Sequence, residues 1–226
     1  MACLLALPAT SQAAETLADL GPGSHYRLIF ASSTTTDASS TDISTYNSFV
    51  NGLGASVSTP QSTTWTALIS TDLEDAASNV SCTPSCASDP IFLVTGQEVA
   101  ASQAGLFDGG ILTPIDVSET GGAPGGAEVI IGYVWTGSNS DGTETATGGA
   151  GDTYTELGDY TSLGAAAVDS GYSTPSGNDA SLYGISGDLV VPGAAVPEPM
   201  TAPLLLLGSV LTGVLGRIRR RRLPAA

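Results

Sequence analysis

The chain has 226 residues, 22 of them acidic and six basic, for a formal charge of −16 with its one histidine neutral. Hydrophobic residues make up 42%, enough for a core, which excludes wholesale disorder. There is no lysine, and five of the six arginines follow Gly216. Residues 15–196 therefore hold 21 acidic side chains against Arg27 alone, a net of −20, which repels nucleic acid and excludes it as a partner.

The first stretch, MACLLALPATSQAAET, joins a short apolar run to small residues around Ala13 and Ala14. It reads as a secretory signal peptide over residues 1–14, cut near Ala13 or Ala14 and shortened at its front, since the basic leading region is missing. Cys3 leaves with it. An exported acidic domain is then expected over residues 24–192. Residues 25–31 alternate and are rich in strand formers, and residues 32–41 form a polar loop. Asp42 caps a helix that buries Ile43, Tyr46, Phe49, Val50 and Leu53 and ends at Gly52 and Gly54. Residues 63–71 read as a strand with Trp65, Ala67 and Ile69 on one face. A short helix follows in LEDAASNV, then a strand in PIFLV and a turn at Gly96. GLFDGGILTPIDVSE reads as a turn with short extended pieces. Residues 129–136 give the strongest strand signal and run into an Asn-Ser-Asp-Gly turn. GDTYTELGDYTSLGAA reads as loop, and ASLYGISGDLVVP as the closing strand.

This order predicts an α+β fold, a mostly antiparallel sheet with one or two short helices; the alternative is a β-sandwich. The motifs W-x-A-x-x-S-T, V-W-T-G and S-L-Y-G-I-S, with the early helix, resemble exported bacterial domains of the C-type-lectin/endostatin-like fold. That resemblance covers about residues 26–192.

Few groups in the domain promise chemistry. His25 stands alone just before the first strand, with no nucleophile elbow to support a triad. GGAPGGAE lacks the lysine of a phosphate loop and the strand before it. No catalytic residue is therefore assigned. Cys82 and Cys86 flank a three-residue loop and are expected to form a local disulfide in an oxidising compartment. Oxygen donors alternate at Asn139, Asp141, Thr143 and Glu144 around Gly142, followed by Asp152, Glu156 and Asp159. Asn139, Asp141 and Glu144 are the candidate calcium ligands, and calcium the one cofactor considered. Tyr133, Trp135, Tyr154, Tyr160 and Tyr172 are candidates for a sugar-stacking face.

The chain closes on VPEPMTAPLLLLGSVLTGVLGRIRRRRLPAA. Pro197-Glu198-Pro199 sits in a linker over residues 193–199 and holds an extended, accessible backbone. Residues 200–216 carry no charge and, as a helix, reach about 25 Å, the lower end of a bilayer span. Arg217, Arg219, Arg220, Arg221 and Arg222 then hold residues 217–226 in the cytoplasm, with the body outside. Motif, apolar helix and arginine cluster in that order resemble the PEP-CTERM sorting signal. The resemblance implies export, transient anchoring in a bacterial inner membrane, processing near Pro197–Pro199 by an exosortase-type transpeptidase, and delivery to the cell surface or extracellular matrix. The expected function is that of a non-enzymatic surface or matrix protein, with carbohydrate binding as its refinement; the alternative is a secreted hydrolase acting on polysaccharide or protein. Replacing Arg219–Arg222 with Ser should weaken membrane retention, and altering Glu198 with the apolar run intact should hold the protein at the membrane. Cell fractionation with mass analysis of the mature C-terminus reads both. An intact Ala226 on released protein would defeat the sorting assignment.

Overall fold

His25–Ala31 forms strand β1, and every residue after His25 in it is buried. The computed structural model describes residues 15–82, 86–125 and 130–193. In chain order β1 is followed by α1 (Ile43–Gly54), β2 (Trp65–Ala67), α2 (Ala76–Asn79), β3 (Ile91–Leu93), β4 (Glu98–Ala100) and α3 (Gln103–Phe107). Then come β5 (Tyr133–Trp135), β6 (Tyr154–Asp159), β7 (Tyr172–Pro175), β8 (Ser181–Ser186) and β9 (Leu189–Val190).

The nine strands join in one sheet, in the order β4-β3-β1-β8-β5-β6-β7, with β2 also pairing β8 and β9 pairing β1. The sheet is mixed: β1 runs parallel to β3 and β5 parallel to β8, and the other pairings are antiparallel. Parallel neighbours need a long crossover. The β1-to-β3 connection supplies one and carries α1, β2 and α2 within it. This is an α+β arrangement with short helices. The strands do not divide into two facing sheets, so the sandwich alternative is not what the described residues form.

Both faces of the sheet are covered. Ile29, Tyr183, Ile185, Val134 and Ile91 point to one side, where they meet Ala76, Val80, Leu106 and Phe107 from α2, α3 and their flanks. Leu28, Phe30, Leu182, Trp135 and Phe92 point to the other and meet Tyr46 and Val50 of α1. The period-2 alternation of a strand distributes neighbouring apolar residues to opposite cores, so a strand buried on both faces reads as continuously apolar. Asp42 caps α1 as expected, its side chain accepting from Ser44 N at 2.9 Å. Trp65, Ala67 and Ile69 share one core while Leu68 faces the other.

Four expectations change. The strand expected over residues 129–136 is β5 alone, because Gly132 takes a positive φ of 95° and turns the chain just before Tyr133. GLFDGGILTPIDVSE begins within a helix, α3, whose cap is Ser102, accepting from Gly105 N at 3.2 Å. GDTYTELGDY contains strand β6, held between β5 and β7. The closing strand is split at Gly187 and Asp188 into β8, which lies inside the sheet, and β9.

At the other side of the sheet, the edge at β4 is covered by the segment before β1. Thr16 bridges Gln97, and Glu15 N donates to Glu98 Oε2 at 2.9 Å. Among the described residues no helix is long and apolar enough to cross a membrane. The signal peptide expected over residues 1–14 and the membrane helix expected over residues 200–216 lie outside the described residues.

Helix α1 lies so close to β2 that its last residue has no room for a side chain. A Cβ on Gly54 would come 2.3 Å from Cδ1 and Cγ of the buried Trp65 ring. Gly54→Ala should therefore cost about 1–3 kcal/mol, the range for forcing extra volume into a packed core. The loss should appear as a lower urea midpoint with an unchanged slope. A midpoint equal to that of the parent would show that α1 moves freely off Trp65.

Candidate functional site

The Asn-Ser-Asp-Gly turn is built by local hydrogen bonds. Asn139 Nδ2 donates to Thr143 Oγ1 at 3.1 Å and to the Glu144 carbonyl at 2.8 Å. Asp141 Oδ1 accepts from Thr143 N at 3.0 Å and from Thr143 Oγ1 at 2.6 Å, and these bonds hold its carboxyl below the usual range. A Cβ at Gly142 would lie 2.7 Å from the Phe107 ring, so the turn is pressed onto α3. The Asn139 amide nitrogen and Asp141 Oδ1 are thus engaged inside the turn.

Glu144 goes elsewhere. Its carboxylate converges with those of Asp72 and Asp152, one donor atom from each lying within 4.8 Å of the others. Three observations explain the convergence. Thr71 bridges both Glu74 and Ala150, which brings Asp72 beside the loop containing Asp152. Glu144 N donates to Asp75 Oδ1 at 2.7 Å, which fixes its backbone against α2. Gly149 leaves the space the carboxylates need, since a Cβ there would stand 2.9 Å from Glu144 Oε1 and 3.4 Å from Asp72 Oδ1. Burial, then the charges of Asp72 and Asp152, raise the Glu144 carboxyl. A dication would relieve that repulsion, and hard oxygen donors suit Ca²⁺.

Cys82 and Cys86 are paired, with Cα atoms 5.6 Å apart, inside the span of a disulfide. Their loop lies between α2 and β3.

The five aromatics do not share a face. Trp135 is fully buried and donates Nε1–H to the Thr36 carbonyl at 2.9 Å. Tyr160 packs against the core beside α3. The register pairs Leu157 with Tyr172 and Trp135 with Leu157, so Tyr133 and Tyr172 share one side of the sheet and Tyr154 points to the other. What remains is a pair: Tyr133 and Tyr172 meet edge to face, with ring centres 6.0 Å apart, and Tyr172 is 64% exposed.

No family model and no curated protein matches this chain.

The surroundings of two groups of functional interest, His25 and Glu156, do not show in the sequence. His25 Nδ1 lies 2.9 Å from both carboxylate oxygens of Asp188. Nothing in the spacing of residues 25 and 188 signals that contact; only the pairing of β1 with β9 creates it. Glu156, a strand residue of β6, is 8% exposed, and its Oε1 has no hydrogen-bond partner among the described residues. Burial works to raise the carboxyl of Asp159, also considered for calcium, but the hydrogen bonds from Thr161 and Ser162 together outweigh it and hold the group below the usual range. The sorting residues Pro197, Glu198, Pro199, Arg217, Arg219, Arg220, Arg221 and Arg222 lie outside the described residues.

Burial, reinforced by Asp169, pushes the Glu156 carboxyl from its ordinary 4.5 up to about 7. The folded protein thus holds a proton that the unfolded chain releases. The resulting loss of stability is absent below pH 4.5, develops as pH rises to about 7 and is complete above it. Glu156→Gln should remove this dependence and stabilise the protein at pH 8 by on the order of 1–3 kcal/mol. Thermal unfolding at pH 5 and pH 8 measures the difference. Parallel pH profiles for parent and variant would contradict it.

Proposed function

We propose that the chain is an exported, non-catalytic binding protein of the cell surface or extracellular matrix, whose domain binds carbohydrate with the help of Ca²⁺. The observation that carries the binding reading is the convergence of Asp72, Glu144 and Asp152 beside a loop that Gly149 keeps open. The body's net negative charge favours cations and disfavours nucleic acid. The exposed Tyr172 ring, backed by the half-buried Tyr133, offers a face of the kind sugars stack on. For the finer fold, a lectin-like domain, the support is that its three motifs fall on adjacent strands: Thr66 of β2 pairs Ile185 of β8, and Trp135 of β5 pairs Leu182. Delivery rests on the sequence alone. Pro197-Glu198-Pro199, the apolar run and the arginine cluster follow one another in the order of an exosortase substrate, processed at the inner membrane.

The test uses the full chain on immobilised acidic and neutral polysaccharides, with Ca²⁺ or with chelator. Retention should require Ca²⁺, and Asp152→Asn and Glu144→Gln should each weaken it at least about 10-fold. Reducing ends should not accumulate. Sugar release that tracks Glu144 would replace this reading with the hydrolase alternative. Retention indifferent to chelator would remove calcium from it.

A further inference from the structure

At one end of the sheet the register gathers three potential ligands that are far apart in sequence. β1 is parallel to β3 with Arg27 opposite Ile91, so His25, two residues earlier, stands level with Asp89. β9 pairs His25 with Val190, which puts Asp188 at the same end. His25 Nδ1 is 2.9 Å from Asp188 Oδ1 and Oδ2, and one donor atom from each of the three residues falls within 4.8 Å of the others.

We propose that His25, Asp89 and Asp188 form a binding site for a first-row divalent transition-metal ion, with Zn²⁺ the closest fit.

A His–Asp ion pair alone would explain two of these residues but not the third. Asp89 Oδ2 is shut off from solvent and accepts no hydrogen bond among the described residues. The buried Arg27 does not serve it by hydrogen bonding. The Arg27 guanidinium donates instead to the Ser186 carbonyl at 2.7 Å, the Val80 carbonyl at 2.8 Å and Gln103 Oε1 at 3.4 Å. Among the described residues the one ion pair within salt-bridge distance is His25 with Asp188. A buried carboxylate oxygen without a partner is costly, and a metal ion facing it answers that cost.

The spacing fits as well. Two donors about 2.1 Å from one ion stand about 3.0–3.4 Å apart, according to the coordination geometry. The 2.9 Å between His25 and Asp188 is already close to this, and Asp89 closes by a side-chain adjustment of about 1–2 Å. An imidazole nitrogen with two carboxylates suits zinc or manganese better than calcium, which takes six to eight oxygens. His25 and Asp188 remain exposed, so the ion would keep open positions for water or for an anionic group of a bound partner. The site is separate from Asp72, Glu144 and Asp152 and does not depend on the reading of their role.

Isothermal titration of the full, untagged chain with ZnCl₂ under non-reducing conditions tests this. One Zn²⁺ per chain should bind and raise the melting temperature, while CaCl₂ at equal concentration should leave this site empty. His25→Ala and Asp89→Asn should each weaken zinc binding at least about 10-fold, and Asp152→Asn should not change it. Circular dichroism confirms the fold of each variant; if His25→Ala does not fold, Asp89→Asn decides alone. No zinc binding by the parent, or binding that survives both substitutions in folded protein, overturns the proposal.

Discussion

One buried cation organises the described body. Arg27 is 1% exposed, and it is the sole basic residue between residues 15 and 196. Taking a guanidinium out of water costs several kcal/mol unless its donors are met. Here they are met by three separate elements: the Ser186 carbonyl at the end of β8, the Val80 carbonyl that closes α2, and the Gln103 side chain at the start of α3. Burial pulls the arginine down to about 10, with Asp89 and Asp188 opposing the shift, so it stays charged at neutral pH. Three of its five donors thus bind the central strand pair to the helices on one face. Because two of those acceptors are backbone carbonyls, no hydrophobic replacement of Arg27 could satisfy them.

Around that point the sheet is arranged by β8, which pairs β1, β2 and β5 at once. Gly184 makes this crowding feasible: a Cβ there would stand 2.6 Å from the Phe30 ring. Ser186 contributes twice, its carbonyl to Arg27 and its hydroxyl to Leu28 N at 2.8 Å. A late segment of the chain therefore completes the middle of the sheet, and much of its pairing is non-local, a topology that folds slowly.

The parts of this fold that rest on local chemistry were legible. β1 shows in its run of strand formers, α1 in Asp42 and a 3.6-residue stripe, and the turn at Gly96 in its glycine. What escaped rests on pairing. β6 buries Thr155 and Glu156 beside Leu157, so no apolar alternation marks it, and Gly158 is needed because a Cβ would meet the Ala167 carbonyl at 2.2 Å. β7 is short, exposed and polar, and exists because β6 lies beside it. The acidic loop shows the same division. Its wealth of oxygen donors was visible, but which of them converge depends on bridges from Thr71, and these bring in Asp72 and Asp152 while Asn139 and Asp141 close the turn. His25 was visible only as a lone ring; the strand register supplies its neighbours.

The covering of the β4 edge carries a further meaning for how such a protein matures. Glu15 N donates to the buried Glu98 at 2.9 Å as an ordinary neutral amide. Cleavage at the proposed position after Ala14 would turn that same nitrogen into an α-ammonium group. The hydrogen bond would become an ion pair without any atom having to travel, and charge-assisted bonds are about twice as strong as neutral ones. Under the proposed processing, leader removal would then latch the first strand-covering segment in place and make one sheet edge firmer.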